Sequence, residues 1–201
     1  MTESEITAFA AFLRARDSQL YMLIDAACNH ASICQLRAKG LDVRSLFSGI
    51  KEITLAEVAP YLMSLPQEPK LLGSLIEQYW GYGKCWSVVV EGFINIEQLR
   101  IQLKKSLNVE LENGSSAYFR FYDSRALGKF VGISSMKQMD ELFGDSIQAF
   151  HYASSDISTS LMCLRKINEH GWRAFMNRDH YKLTSCSRAK DIYVENIKQT
   201  T

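Results

Sequence analysis

The sequence lacks the short motifs that mark common catalytic and ligand-binding sites. It contains no GxGxxG or GxxxxGK[ST] phosphate loop, no GxSxG nucleophile turn and no HExxH zinc motif, each of which holds particular groups around a substrate or a metal. Its five cysteines form no CxxC pair, which argues against zinc-ribbon and thioredoxin-type sites. We therefore predict no catalytic residue, no cofactor site and no metal site.

An excess of one charge and a long apolar run are also missing. The 23 basic residues nearly balance the 22 acidic ones, so no overall field attracts nucleic acid or an anionic membrane. No apolar run approaches the roughly 18 residues of a membrane helix, and Glu3 and Glu5 stand where a secretory signal would have basic residues. A hydrophobic content of 47% excludes disorder. We predict a globular cytoplasmic protein that binds neither nucleic acid nor membrane.

Apolar runs alternate with helical stripes along the first three quarters of the chain. Residues 20–24 are a continuous apolar run, which is typical of a strand covered on both faces in a parallel sheet, and residues 85–90, with Ser87 among apolar residues, are a second candidate for such a strand. Residues 117–122 show the period of two of a third strand, and Asp123 is a predicted cap of the helix that follows. The alternation predicts an α/β fold, with a small, largely parallel sheet flanked by helices, in a domain that spans 1–152.

The last quarter of the chain has a different pattern. A serine-rich stretch opens it, and Leu161, Leu164 and Ile167 then follow at a helical spacing. The sequence therefore predicts a separate, mainly helical carboxyl-terminal lobe over 153–201.

Charged residues at the predicted strand ends are candidates for structural ion pairs. In a parallel sheet, right-handed connections would bring Asp25, Glu91 and Asp123 to one edge. An arginine inside a strand requires an acceptor, so Asp25 is expected to pair with Arg120 or Arg125. In the alternative interpretation, Asp25 and Asp123 face each other and hold Mg²⁺ in a small α/β hydrolase or a nucleotide-dependent enzyme.

Aromatic residues beside glycines are candidates for a partner-binding patch. Tyr79, Trp80 and Tyr82 flank Gly81, and Trp172 lies in the last quarter. Such side chains can anchor a protein partner, although many clusters of this kind fill the edge of a core. Aromatics also alternate with arginine in 118–125, as in some RNA-binding strands, but basic residues are sparse around them.

The stretch AYFRFYDSRAL at 117–127 resembles the FRFYDPR signature of the type VI secretion adaptor/chaperone family, which is known as domain of unknown function 4123. Further segments are similar to parts of that family in the same order along the chain. They are the opening strand and aspartate LYMLIDAA (20–27), the loop SLFSGI (45–50) and the closing segment LFGDSIQAF (142–150).

The resemblance implies a non-enzymatic role, in which the protein holds a toxic effector in the bacterial cytoplasm and loads it onto the VgrG spike. It covers residues 20–152 and implies an ion pair between Asp123 and Arg125, although Ser124 replaces the usual proline. It assigns the choice of cargo to the divergent lobe that follows. A third interpretation is a structural interaction protein outside secretion.

Overall fold

Short helices and short strands make up the computed structural model, which describes residues 3–28, 30–80, 87–110, 113–153, 161–168, 171–177 and 190–192. The helices in these ranges are α1 (Glu3–Arg14), α2 (His30–Ala38), α3 (Ile50–Thr54), α4 (Pro69–Tyr79), α5 (Ile96–Lys105), α6 (Ser124–Ile133) and α7 (Met136–Phe143), with 3-10 helices at Ala26–Cys28 and Ala56–Val58. The strands are β1 (Gln19–Asp25), β2 (Val43–Ser45), β3 (Pro60–Ser64), β4 (Val88–Gly92), β5 (Asn108–Glu110), β6 (Ser116–Tyr118), β7 (Ile147–Ala153), β8 (Leu161–Asn168), β9 (Gly171–Asn177) and β10 (Lys190–Ile192). None of the described helices is long and apolar enough to cross a membrane.

Eight of these strands form one sheet in the order β10-β9-β8-β7-β4-β1-β3-β2. Every neighbouring pair is antiparallel, including the interior strand β1 with β3 on one side and β4 on the other. The prediction of a largely parallel sheet is therefore wrong. No strand is predicted from the sequence at β3, which pairs with β1. This strand begins at Pro60, and a proline is tolerated there because it is the first residue of the strand.

Burial on both faces explains why the strand pattern was misleading. In β1, Leu20, Met22 and Ile24 pack into one core, while Tyr21 and Leu23 pack into the other. Helices α1 and α4 contribute to the first core, and α5, α6 and α7 contribute to the second. A strand between two cores is apolar throughout whatever the direction of its neighbours, so its composition does not reveal that direction.

The described part of the last quarter continues the same sheet. Strand β8 pairs with β7, β9 pairs with β8, and β10 pairs with β9. The prediction of a mainly helical lobe is wrong for these residues, because Leu161, Leu164 and Ile167 lie in β8. A short apolar run fits a helix and a strand equally well, and only the partner strand decides between them.

The free edge of the sheet at β2 is covered by arginine side chains. The Nη2 atom of Arg37 donates to the carbonyl of Val43 at 3.2 Å, and the Nε atom of Arg100 donates to the carbonyl of Ser45 at 2.6 Å. An edge whose carbonyls are already hydrogen-bonded is a poor template for another strand. Arg100 also donates to the carbonyl of Phe47 at 3.1 Å, so α5 fixes the loop that follows β2.

Candidate functional site

The predicted third strand at 117–122 is mostly a turn. Strand β6 ends at Tyr118 and pairs only with β5, in a separate two-stranded sheet. The amide of Asp123 then donates to the carbonyl of Arg120 at 3.0 Å and closes a turn that inserts Phe121 into the second core. The strand prediction is wrong here, because the chain buries its aromatic side chains by turning instead of joining the sheet.

Arg120 binds Asp25, as the sequence predicts for one of the two arginines. Its Nη2 atom donates to Oδ2 of Asp25, and the amide of Ala27 donates to Oδ1 at 3.0 Å. Asp25 is buried, whereas the side chain of Arg120 is 48% exposed. The expectation of an arginine inside a strand is therefore wrong, and the buried partner is the carboxylate. Partial burial acts to lower the pKa of Arg120, but the charge and hydrogen bond of Asp25, together with the attraction of Tyr122 and Asp123, outweigh it, so the pKa is raised.

Loss of this arginine is expected to reduce stability. Arg120→Ala should lower the free energy of unfolding by about 1–2 kcal/mol, because it leaves the buried Asp25 carboxylate without its cation while the half-exposed pair is partly screened by water. Chemical denaturation measures this change. Lys104→Ala is the control, since the Nζ atom of Lys104 donates to the hydroxyl of the exposed Ser48 and to no buried acceptor in the described ranges. Equal effects of the two substitutions would contradict the assignment.

Asp123 caps α6 and binds Arg125, and its predicted role as a helix cap is confirmed. Its Oδ1 atom accepts hydrogen bonds from the amide and from Nε of Arg125, both at 2.9 Å, and Oδ2 accepts from Nη2 at 2.5 Å. Burial acts to raise the pKa of Asp123, but the hydrogen bonds from Arg125 outweigh it and lower that pKa. The carboxylate is therefore stabilised in its charged form.

This lowered pKa predicts how stability depends on pH. The Asp123 carboxylate contributes stability above its unfolded pKa of about 3.9, and the contribution is lost as the pH falls through the lower folded value. Asp123→Asn keeps an oxygen for the helix cap but removes the charge. We expect the variant to be less stable than the wild type near neutral pH and the gap to close in acid. Denaturation from about pH 7 to about pH 3 measures it; a constant gap would contradict the prediction.

The two ion pairs are joined into one group. Asp123 also contributes to the raised pKa of Arg120, and the charge of Arg120 offsets part of the rise that Asp123 causes in the pKa of Arg125. We call Asp25, Arg120, Asp123 and Arg125 the signature network. Each carboxylate in it accepts hydrogen bonds from its own arginine, whereas the enzyme interpretation required two open carboxylates facing each other. No group of three or more His, Cys, Asp or Glu that could hold a metal ion occurs in the described ranges.

Glu91 lies far from the signature network along the sheet. In the antiparallel sheet Asp25 is opposite Pro60 at one end of β1, while Glu91 is opposite Leu20 near the other end. The expected alignment of Asp25, Glu91 and Asp123 along one edge is therefore wrong. The error follows directly from the direction of β4, which runs opposite to β1.

Glu91 belongs instead to a buried group that sequence reasoning missed. Its Oε2 atom lies 3.0 Å from Nε2 of His151 and 3.8 Å from Nε of Arg16. We call these three residues the Glu91 cluster. His151 is completely buried in β7, and the ring of Phe12 stands edge-on to it at 5.7 Å. The signal in the sequence was a histidine in the middle of a strand, where only a partner on the neighbouring strand makes burial acceptable.

The predicted aromatic anchors are not an exposed patch where the structure describes them. Tyr79 and Trp80 are both buried in the first core, and the ring of Trp80 lies 4.7 Å from that of Phe9. The prediction is wrong for these two residues because α1 covers them. Tyr82 lies outside the described residues, and of Trp172 the structure describes only its place in β9.

An exposed apolar segment precedes β3, and no motif in the sequence pointed to it. It comprises α3, the 3-10 helix Ala56–Val58 and Leu55 between them, and neither helix has a buried residue. The exposed fractions of its apolar side chains are 80% for Ile50, 81% for Ile53, 41% for Leu55 and 51% for Val58. In the sequence these apolar residues are mixed with the charged residues Lys51, Glu52 and Glu57. The apolar positions form no stripe long enough to indicate a helix that packs on a core, and this was the signal of an exposed apolar surface.

This segment is fixed next to the signature network at both of its ends. Before it, the ring of Phe47 lies 6.3 Å from the ring of Tyr118, which is itself 46% exposed. After it, the carbonyl of Ala59 accepts a hydrogen bond at 3.0 Å from the amide of Ala26, the residue that follows Asp25. We call the surface of Ile50, Ile53, Leu55, Val58 and Tyr118 the apolar rim.

Comparison with known families gives one match. The family model described as "Domain of unknown function (DUF4123)" matches residues 20–141, which hold the signature network and the apolar rim. Neither the curated proteins nor the solved structures give a significant match. The matched range ends before β7, so the last four strands of the sheet lie outside it.

Proposed function

Because the chain belongs to the DUF4123 family, we propose that it is a cytoplasmic adaptor that binds a type VI secretion effector and loads it onto the VgrG spike, without catalysing a reaction itself. The observation that carries the proposal is the stretch FRFYDSR, whose likeness to the signature of the type VI adaptors lies inside the matched range. The segments in 20–27 and 45–50 support it, because they occur in the order of that family.

The roles of the charged signature residues are consistent with a scaffold. Arg120 neutralises the buried Asp25 at the end of β1, and Asp123 caps a helix while it binds Arg125. These contacts fix the turn between β6 and α6 against the sheet. A surface that is rigid before binding loses less conformational entropy when a partner docks, which favours a binding role for it.

Binding through side-chain surfaces is favoured over strand addition at the β2 edge. Arg37 and Arg100 occupy the carbonyls of Val43 and Ser45 there, so an added strand would have to displace them. An adaptor must also release its cargo at the machine. We therefore expect affinities of about nM to μM for the effector and the spike, and not the much tighter range of permanent complexes.

A pull-down from the native bacterium tests the proposal. The tagged full-length chain should recover a VgrG spike protein and one secreted toxic protein, both identified by mass spectrometry. Deletion of the gene for the chain should abolish delivery of that toxin, while assembly of the secretion tube continues. A strain without the spike gene is the control, and it should still yield the toxin. Recovery of neither partner, together with normal delivery in the deletion strain, would overturn the proposal.

A further inference from the structure

Strands β5 and β6 form a small sheet that is separate from the main one, and the outer side of β6 is an open edge. The amide of Phe119, just after β6, donates to the carbonyl of Leu107 at 2.9 Å, so the backbone of Phe119 faces β5. In an antiparallel pair, alternate residues turn their hydrogen-bonding groups to the partner strand. Ala117 therefore also faces β5. The N–H and C=O groups of Ser116 and Tyr118 face the other side, on which no described strand lies.

The described part of the fold does not use the backbone groups on this edge. Within it, no residue forms a hydrogen bond with the N–H or C=O group of Ser116 or Tyr118. The β2 edge differs, because arginine side chains occupy its outward carbonyls. Two outward residues at a spacing of two offer two donors and two acceptors, and this pattern matches another extended backbone. A two-stranded sheet also gains stability from a third strand.

Hydrogen bonds fix both ends of the edge before any partner binds. In the turn before β6, Gly114 has a φ of 76°, and Oδ1 of Asn113 accepts from the amide of Ser115 at 3.0 Å and from its hydroxyl at 2.6 Å. After β6, the amide of Asp123 closes the turn on the carbonyl of Arg120. An edge that already has the strand conformation loses less conformational entropy when a partner strand is added.

The ring of Tyr118 gives the edge an apolar side-chain contact. It is 46% exposed, and it lies 6.3 Å from the ring of Phe47 and 6.5 Å from that of Tyr122. These two neighbours hold the ring at the end of β6 without covering it. Aromatic and apolar side chains on adjacent strands stabilise a sheet. The complementary strand therefore has an apolar residue beside Tyr118.

The charges around the edge select against an acidic segment and against little else. Of the described residues in β5 and β6, only Glu110 is charged, and it lies exposed opposite Ser116. The charges of the turn after β6 are paired within the signature network. Backbone hydrogen bonds supply the affinity of an added strand, while side chains supply its specificity. This edge therefore accepts extended segments of many sequences.

We propose that the outer edge of β6 accepts an extended segment of the effector as a third strand, hydrogen-bonded to the backbone of Ser116 and Tyr118, with an apolar side chain beside the ring of Tyr118. This inference rests on the proposed function. A second copy of this chain is disfavoured, because an edge of three residues is far smaller than the roughly 1,000 Å² that a stable interface buries. An effector also docks on other surfaces. It is chosen over the spike because backbone pairing tolerates the different sequences of different cargoes.

Ser116→Pro tests the inference, with Glu110→Pro as its matched control. Proline removes one outward N–H group in each variant, from β6 in the first and from the opposite edge of the hairpin in the second. Both residues are exposed and face away from the ladder between β5 and β6, where proline is tolerated. The probe is the toxin recovered in the pull-down, purified separately and titrated with each full-length variant. We expect Ser116→Pro to raise Kd at least about tenfold and Glu110→Pro to leave it within about twofold.

Amide hydrogen exchange of the wild type gives a second measurement, which needs no substitution. In the free chain, the outward amide of Tyr118 should exchange faster than the inward amide of Ala117. Addition of the toxin should slow exchange at Tyr118 at least about tenfold and leave exchange at Glu110 unchanged, because that amide faces the other edge. Circular dichroism and the unfolding midpoint of Ser116→Pro should match those of the wild type.

Each other result would overturn the inference. If the toxin leaves exchange at Tyr118 unchanged, or if Ser116→Pro keeps full affinity for it, β6 is not the cargo edge, although the proposed function stands. If Ser116→Pro and Glu110→Pro weaken binding equally, the hairpin as a whole and not its outer edge is responsible. If Ser116→Pro loses only the spike, the edge belongs to the spike. If it dissociates a wild-type dimer, the edge joins two copies of this chain. If the wild type binds neither the toxin nor the spike, the proposed function and the inference fail together.

Discussion

Glu91→Ala is expected to lower the free energy of unfolding by about 3 kcal/mol. Glu91 is buried in β4, where its carboxylate lies 3.0 Å from Nε2 of His151 and 3.8 Å from Nε of Arg16. The substitution removes the carboxylate beside this completely buried histidine, so the ring loses its hydrogen bond to β4. Breaking a buried polar pair by removing one partner costs more than the pair itself contributes, because the remaining group is desolvated without compensation.

Two further variants make this result interpretable. Glu57→Ala is the control, since Glu57 is exposed on the 3-10 helix before β3, and its loss should change stability by less than about 0.5 kcal/mol. Glu91→Gln keeps the size of the side chain and an oxygen that can accept a hydrogen bond, so it should lose about 1–2 kcal/mol. Urea denaturation of all three measures the effect. A Glu91→Ala variant as stable as Glu57→Ala would show that the Glu91 cluster does not support the fold.

The Glu91 cluster also connects α1 to the sheet. Arg16 follows α1, and its guanidinium lies 4.3 Å above the ring of Phe12 while it approaches Glu91 in β4. His151, which is in β7, lies beside the ring of Phe12 in α1. The cluster thus joins the first helix to two neighbouring strands. We expect Glu91→Ala to increase hydrogen exchange in α1 more than in α6, because α6 packs in the other core.

Local features of the fold could be predicted because they depend on neighbouring residues. Asp123 caps α6, and Asn95 caps α5 by accepting a hydrogen bond from the amide of Gln98 at 2.9 Å. Gly144 ends α7 with a φ of 55°. Each device requires one residue type at one position, so its physical cause is visible in a short stretch of sequence.

The direction of the strands could not be predicted because it is decided between distant residues. Strands β1 and β3 are covered on both faces, so no polar alternation remains to separate an antiparallel sheet from a parallel one. The positions of the carboxylates depend on that direction. An arginine partner for Asp25 was nevertheless predicted, with Arg120 as one of two candidates, because a charged residue beside a core requires a partner in any topology.

Of the candidate site, only the ion pairs were predicted from the sequence, because a charged residue beside a core requires a partner of opposite charge. Tyr79 and Trp80 have the composition of a binding patch, and only the packing of α1 shows that they are core residues. The apolar rim shows the opposite mismatch between composition and exposure. Ile50 and Ile53 look like core residues in the sequence, but they are more than three quarters exposed. Exposure is a property of the whole fold, so aromatic or aliphatic composition alone does not identify an interaction surface.

Phe121→Ala is expected to lower the free energy of unfolding by about 3–5 kcal/mol, because it removes a completely buried ring from the second core. The ring lies 5.8 Å from that of Phe119 and 5.9 Å from that of Tyr122, so its loss leaves a cavity at the centre of the turn. Thermal unfolding should show a decrease in Tm of about 10 °C for a chain of this size. Arg120 stands next to Phe121, so we also expect its contact with Asp25 to weaken.

Phe93→Ala is the matched control for this prediction. The side chain of Phe93 is 66% exposed after β4, and its removal should change the free energy of unfolding by less than about 0.5 kcal/mol. The comparison separates two roles for the aromatic residues of FRFYDSR, since a side chain that serves only a partner can be removed without loss of stability. If Phe121→Ala were as stable as Phe93→Ala, the turn would not be packed on the sheet. The signature would then have to be explained by binding, because Phe121 would contribute nothing to the second core.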